Sequence, residues 1–282
     1  MTSAYYSYVK LIRKFGLHIL LIFIVIIWMV PIYTVITTAI KSKYDFYQSV
    51  SLFSLPSKIE WANFPKSFNE GRLAMYMRNG IIICVLKVPL GIFIEALAAF
   101  ALARLRIKNA TGIFIIFLIG MMLPMQAALV PINIIYSRLH LLNTYFGLFY
   151  VYVGFGISLG ILILRGFFRT IPREIDDAAL IDGCNKWRLF WNIILPISKA
   201  AVATLVITDF LSTWNEYILA LVIINDNNKK TVPVGLMTFM GEYGTDFTML
   251  CAGVLISIIP VFIIYIVFQR YFVEGVSGAV KA

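Results

Sequence analysis

The sequence predicts an all-α membrane protein of six transmembrane helices carrying one helical loop on the cytoplasmic side. Three observations predict it. Of 282 residues, 61% are hydrophobic and only 13% are charged, a balance too apolar for a soluble domain of this size. The apolar residues gather into six stretches, roughly 17–40, 80–103, 112–135, 146–164, 198–224 and 249–272. Each is long enough to cross about 30 Å of hydrocarbon as a helix. Between the fourth and fifth lies a charged segment, about 165–197, with the pattern of a short helix standing outside the bilayer.

The first stretch follows Lys10, Arg13 and Lys14, runs too long for a secretory signal and lacks a small-residue cleavage site. It reads as a retained span behind a cytoplasmic N-terminus, residues 1–16. Alternating the loops from that start puts fourteen Lys and Arg inside and nine outside, which agrees with the positive-inside rule and makes the tail, 273–282, cytoplasmic. The net charge of +10 therefore fixes topology and does not mark a nucleic-acid surface. The first outer loop, 41–79, carries Pro56, Pro65, Trp61 and Phe64 and suits short helices lying on the membrane surface. Cys84, Cys184 and Cys251 have no metal-ligand or disulfide-framework spacing and read as packing residues.

In the third stretch, Met121-Met122-Leu123-Pro124-Met125-Gln126 is followed by Pro131. Two prolines break its outer half, where unwound backbone is tolerated only against protein or a wet path. Met122 and Gln126 are candidate path residues there, a simple kink being the alternative. In the fifth stretch, a 100° step per residue puts Thr204, Thr208, Ser212 and Asn215 on one side, with Asp209 and Glu216 adjoining. Ionisable groups at this depth face a bundle interior or a cavity. Asp209, Ser212, Asn215 and Glu216 are therefore path candidates; alternatively, the acids pair with Lys87 of the second stretch, for which Glu95 competes. Trp214 falls on the opposite side and reads as packing.

The charged segment, Ile171-Pro172-Arg173-Glu174-Ile175-Asp176-Asp177-Ala178-Ala179-Leu180-Ile181-Asp182-Gly183, begins as a helix capped by Thr170 or Ile171 with Pro172 in its first turn, and its acids suit the positive end of the dipole. Ile175, Ala178, Ala179 and Asp182 share a face that two alanines leave open to close approach, and Gly183 stops the helix in a left-handed conformation. With Ile193, Leu195 and Pro196, the segment resembles the coupling loop of permease subunits in binding-protein-dependent ABC importers. The register is matched throughout, Asp177 standing where the family has Glu. The resemblance implies that Glu174, Asp177, Ala178, Ala179, Asp182, Gly183, Leu195 and Pro196 contact an ATPase.

A second resemblance points to the carbohydrate class, the maltose and multiple-sugar importers. Its tail, Gln269-Arg270-Tyr271-Phe272-Val273 through Gly275 to Gly278-Ala279-Val280-Lys281, is similar, as are Ala98-Ala99-Phe100-Ala101-Leu102-Ala103-Arg104 and Trp214-Asn215-Glu216. The tail is one residue shorter than usual before Gly278, and Ala282 replaces a terminal Gly. What the resemblance implies is a type I importer architecture in a bacterial or archaeal cytoplasmic membrane. Its partners would be a second homologous permease, two ATPase subunits that bind ATP and Mg, and an extracellular or periplasmic solute-binding protein. That protein would meet the loop 225–248 near Gly241, Glu242, Tyr243 and Gly244. The chain itself holds no phosphate loop and no metal-binding motif, so no cofactor and no enzymatic activity are expected in it. A permease for another solute and an ATP-independent channel or carrier stand as the alternatives.

Overall fold

The computed structural model describes residues 2–48, 51, 53–241 and 244–279. In chain order, the helices are α1 (Thr2–Ala39), α2 (Lys43–Gln48), α3 (Asn63–Asn69), α4 (Leu73–Arg104), α5 (Ala110–Met122), α6 (Met125–Arg138), α7 (Tyr145–Thr170) and α8 (Arg173–Ile181). After α9 (Lys186–Arg188), a π-helical stretch (Leu189–Ile194) leads to α10 (Leu195–Ile197), α11 (Lys199–Trp214), α12 (Ile218–Ile223) and α13 (Val232–Leu236). A short antiparallel ribbon, β1 (Met240–Gly241) with β2 (Gly244–Thr245), precedes α14 (Phe247–Ser257) and α15 (Ile259–Ala279).

Among the described residues, four helical segments are long and apolar enough to cross a membrane, and two bent pairs raise the number to as many as six. The third stretch is the first bent pair: α5 and α6 meet at 93°. Pro124 has no N–H for the ladder, and Leu123 before it is driven to an extended backbone (φ −72°, ψ 123°). Of the two prolines expected to break this stretch, only Pro124 does so; Pro131 stays inside α6. The fifth stretch also differs from a single helix. It begins at a 78° corner at Ser198, where the preceding helical segment turns into it, and is interrupted between Trp214 and Ile218. The π-helical turn before that corner has a covalent cause, because Pro196 returns no hydrogen bond to the carbonyl of Asn192.

Contacts divide the chain into two compact units, Met1–Gly71 with Phe239–Ile256, and Arg72–Thr238 with Ser257–Ala282. In the first, Asn63 Nδ2 donates to the carbonyls of Ala39 and Lys41 at 2.9 and 2.8 Å, tying α3 to the end of α1. Lys43 pairs with Asp246 at 2.9 Å, and the Tyr47 hydroxyl donates to the Thr245 carbonyl. In the second unit, α4 packs along α7, and α11 packs against both α4 and α15. The expected tail continues as helix through Ala279; residues 280–282, like Glu242 and Tyr243, lie outside the described residues.

Candidate substrate cleft and docking helix

Helix α8 starts after Pro172, whose extended ψ of 142° makes it the N-cap. Neither Thr170 nor Ile171 caps it, because the Thr170 hydroxyl is turned back to the Phe167 carbonyl at 2.8 Å. At the other end, Gly183 has φ +79°, Gly183 N donates to Leu180 O, and Cys184 N donates to Ala179 O. This pair of bonds is the Schellman arrangement that a left-handed glycine permits.

What holds α8 is the end of α4. The last carbonyls of a helix have no partner within it, and Arg173 supplies one, donating to Ala103 O at 2.7 Å and Arg104 O at 3.0 Å. Asp176 completes the clamp, 3.5 Å from Arg104 and 3.7 Å from Arg173. Burial raises the Asp176 carboxyl above its ordinary range, and the two guanidinium groups pull it only part of the way back. Because Asp176 faces inward, so does Ala179, three residues on, while Asp177, Ala178, Leu180, Ile181 and Asp182 are exposed. The expected shared face of Ala178 and Ala179 is corrected accordingly: Ala178 is open to a partner, and Ala179, 5% exposed, is spent on the chain's own packing. Glu174 is exposed on the first turn, and Pro196 is also exposed. Leu195 and Pro196 line a separate apolar hollow of about 340 Å³ with Lys199, Val202 and Phe268.

A cleft of about 380 Å³ opens beside the bend at Pro124 and the break after Trp214. Met121, Leu123 and Met125 line it from α5 and α6, Tyr152, Phe155 and Leu159 from α7, Lys87 from α4, and Asp209, Ser212, Thr213 and Glu216 from α11 and the break after it. Three of the six expected path residues, Asp209, Ser212 and Glu216, lie here. Met122, Gln126 and Asn215 do not line it and are exposed instead. Their neighbours Met121 and Met125, on either side of the 93° bend, line the cleft in place of Met122 and Gln126. Tyr152 and Phe155 were not legible as site residues, since α7 carries aromatics on every side.

The charges in this cleft are all engaged. Lys87 Nζ meets Asp209 Oδ1 at 2.6 Å, both side chains almost wholly buried. Glu216 Oε1 accepts from Leu219 N at 2.8 Å, and Oε2 accepts from Ala220 N at 2.9 Å and from the Tyr152 hydroxyl at 2.8 Å. Glu216 thus caps α12, replacing the backbone partners lost where α11 ends. The hydroxyls of Thr204, Thr208 and Ser212 return to carbonyls of their own helix. Trp214 is buried, stacked on Phe210 and donating to Ser257 O, and serves packing as its wheel position implied. What remains for a ligand is thioether, aromatic and aliphatic surface edged by hydroxyls, the Lys87–Asp209 pair and the hydrogen-bonded Glu216 carboxylate.

Comparison with known proteins agrees with this architecture. The sequence pattern described as "Binding-protein-dependent transport system inner membrane component" matches residues 87–277. The chain is 32% identical over 271 residues to the probable starch degradation products transport system permease AmyC of Thermoanaerobacterium thermosulfurigenes, covering 96% of this chain and 98% of that one. It is 31% identical over 262 residues to the diacetylchitobiose uptake permease NgcG of Streptomyces coelicolor, covering 92% and 86%. Among solved structures, it is similar to a chain of a bacterial ABC transporter that imports the acidic polysaccharide alginate. There the TM-score is 0.77 at 25% identity, over 92% of this chain and 97% of that chain.

Proposed function

The chain belongs to the family of binding-protein-dependent transport system inner membrane components, and we propose that it is one of two permease subunits of an ATP-driven importer bringing an oligosaccharide or sugar into the cytoplasm. It is a membrane transport subunit and not an enzyme. Two partner ATPases bind ATP and Mg and seat on the exposed face of α8, with Asp177, Ala178, Leu180 and Ile181 in contact. The extracellular solute-binding protein delivers the sugar at the loop 225–248, and both termini are cytoplasmic. Closure of the ATPases moves α8, and the Arg173–Asp176 clamp passes that motion to α4, so that the cleft opens to alternate sides of the membrane.

The observation that carries this reading is the outward face of α8. Ile181 is 86% exposed and Leu180 51% exposed on a helix otherwise fixed by buried charges. Apolar groups displayed in this way outside the bilayer fit a protein partner. The sugar class is supported by the relatives' named substrates and by the hydroxyl and aromatic lining of the cleft.

The testing experiment reconstitutes the permease pair with its ATPases and binding protein in vesicles and follows ATP-dependent uptake of the sugar that copurifies with the binding protein. A cysteine placed at Asn185 should label only from the cytoplasm and one at Asn227 only from outside. Uptake without ATP hydrolysis, or Asn185 labelled from outside, rejects the reading.

A further inference from the structure

Glu95 is 0% exposed on α4, and neither carboxylate oxygen has a hydrogen-bond partner. It is pressed against Gly160 of α7, where a β-carbon would collide with it. Eight residues earlier on the same helix, Lys87 pairs with Asp209 Oδ1, while Asp209 Oδ2 has no partner. The two groups converge over Gly91: a side chain begun there would lie 3.8 Å from Glu95 Oε1, 3.7 Å from Asp209 Oδ2 and 3.6 Å from the Lys87 ε-carbon.

The charge count does not close. One ammonium and two carboxylates, all ionised, leave a whole negative charge inside a membrane span, where an uncompensated ion is expensive. The cluster needs one more positive charge, and what it offers that charge is three unbonded oxygens. An alkali or alkaline-earth ion prefers about six oxygen ligands. A proton needs only one oxygen to carry it, and Glu95 offers two that no other group occupies.

We propose that Lys87, Asp209 and Glu95 form a proton-binding site, in which Glu95 carries an exchangeable proton beside the Lys87–Asp209 pair. Binding forms one O–H bond on Glu95 with a proton from water. Asp209, which lines the cleft, is the route by which that proton comes and goes. Among the described residues, none of the three unbonded oxygens accepts from a neighbouring group. Cys84 is the remaining ionisable group of α4 nearby, α7 faces the cluster with Gly156 and Gly160, and the Tyr152 hydroxyl is committed to Glu216. When the proton leaves, Glu95 competes with Asp209 for Lys87 and loosens the tie between α4 and α11. The site is defined by charge and does not depend on which solute the cleft carries.

The test is infrared difference spectroscopy on the assembled transporter in nanodiscs, wild type against Glu95→Gln, in water and in D₂O. A protonated-carboxyl C=O band should be present in the wild type at neutral pH, shift in D₂O, and be missing from the variant. Replacing sodium by choline should leave it unchanged. Lys87→Met removes the only positive charge, so Asp209 should take a proton too and the band should roughly double. Glu95→Gln, neutral and isosteric, should assemble and transport sugar at neutral pH, and should lose the alkaline fall in uptake that accompanies disappearance of the wild-type band. The proposal is overturned by a wild type without the band, by a band that grows only when sodium is withdrawn, by an unchanged band in Lys87→Met, or by failure of Glu95→Gln to assemble.

Discussion

Arg104 and Asp176 lie 3.5 Å apart with both side chains largely buried, joining the end of α4 to α8. Removing one member strands the other. Arg104→Met should therefore release α8 at a cost of about 2–4 kcal/mol, somewhat below a fully isolated pair because Arg173 stays near Asp176. The double change Arg104→Met with Asp176→Leu should recover most of the loss, since no buried charge remains. The readout is the amount of ATPase retained when the permease is purified; equal retention in the single and double variants would disprove the clamp.

Glu216 and Tyr152 give a second prediction. Glu216→Gln turns an acceptor of three bonds into a group with one acceptor oxygen and an NH₂ aimed at an N–H donor. It should lower the thermal stability of the permease by about 1–3 kcal/mol and reduce uptake. Tyr152→Phe leaves both amide bonds to Glu216 in place and should cost only about 1 kcal/mol. Thermal unfolding in detergent separates them, and the order reverses if Glu216 contacts substrate instead of capping α12.

The limits of sequence reading are visible in these same residues. The six apolar stretches, the stop at Gly183 and the pairing of Lys87 with Asp209 follow from local composition, helix periodicity and the cost of buried charge, and each of these can be evaluated along the chain. The rotation of α8 cannot. Ala178 and Ala179 are equivalent by spacing, and only the contact of Asp176 with Arg104, seventy-two positions earlier, decides which alanine faces out. Glu216 likewise looks like a path residue until the break after Trp214 is known, because a cap is defined by backbone groups that periodicity treats as continuous helix. Met122 and Gln126 fail for a related reason: the bend at Pro124 resets the phase, so positions counted along one helix fall on the wrong face of two.

Outside the bilayer, Lys43 and Asp246 set a pH dependence. Burial pushes the Asp246 carboxyl up, but the Lys43 ammonium and the bonds from Met249 N and the Thr248 hydroxyl outweigh it, leaving it below its ordinary 3.8. The bond to Asp246 raises Lys43 above 10.5. A lowered acid stabilises above its unfolded value and loses that contribution as pH falls through the folded one; a raised base stabilises below its unfolded value and loses it as pH rises. The pair should therefore act steadily from about pH 4 to about pH 10. With Lys43 largely exposed, it contributes no more than about 1 kcal/mol. Proteolysis of the outer loop should rise below pH 4 in the wild type, and Asp246→Asn should show that higher rate already at pH 7.

The exposed face of α8 and its glycine stop carry the last prediction. No atom would crowd a β-carbon on Gly183, so the cost of replacing it is backbone strain alone, about 1–2 kcal/mol for an ordinary L residue at φ +79° and more for a β-branched one. Gly183→Val should unwind the last turn and misplace Leu180 and Ile181. Gly183→Asn, which tolerates the left-handed region, should retain function, and that contrast isolates conformation from volume. Ala178→Trp tests the other half of the interface: it leaves α8 folded because Ala178 is exposed, yet it puts bulk where a packed partner has no free volume. Both Gly183→Val and Ala178→Trp should yield a stably inserted permease that loses its ATPase on purification. Ala179→Trp should instead fail earlier, as a folding defect, because that side chain is buried inside the chain. Normal ATPase retention in Ala178→Trp would place the docking surface elsewhere.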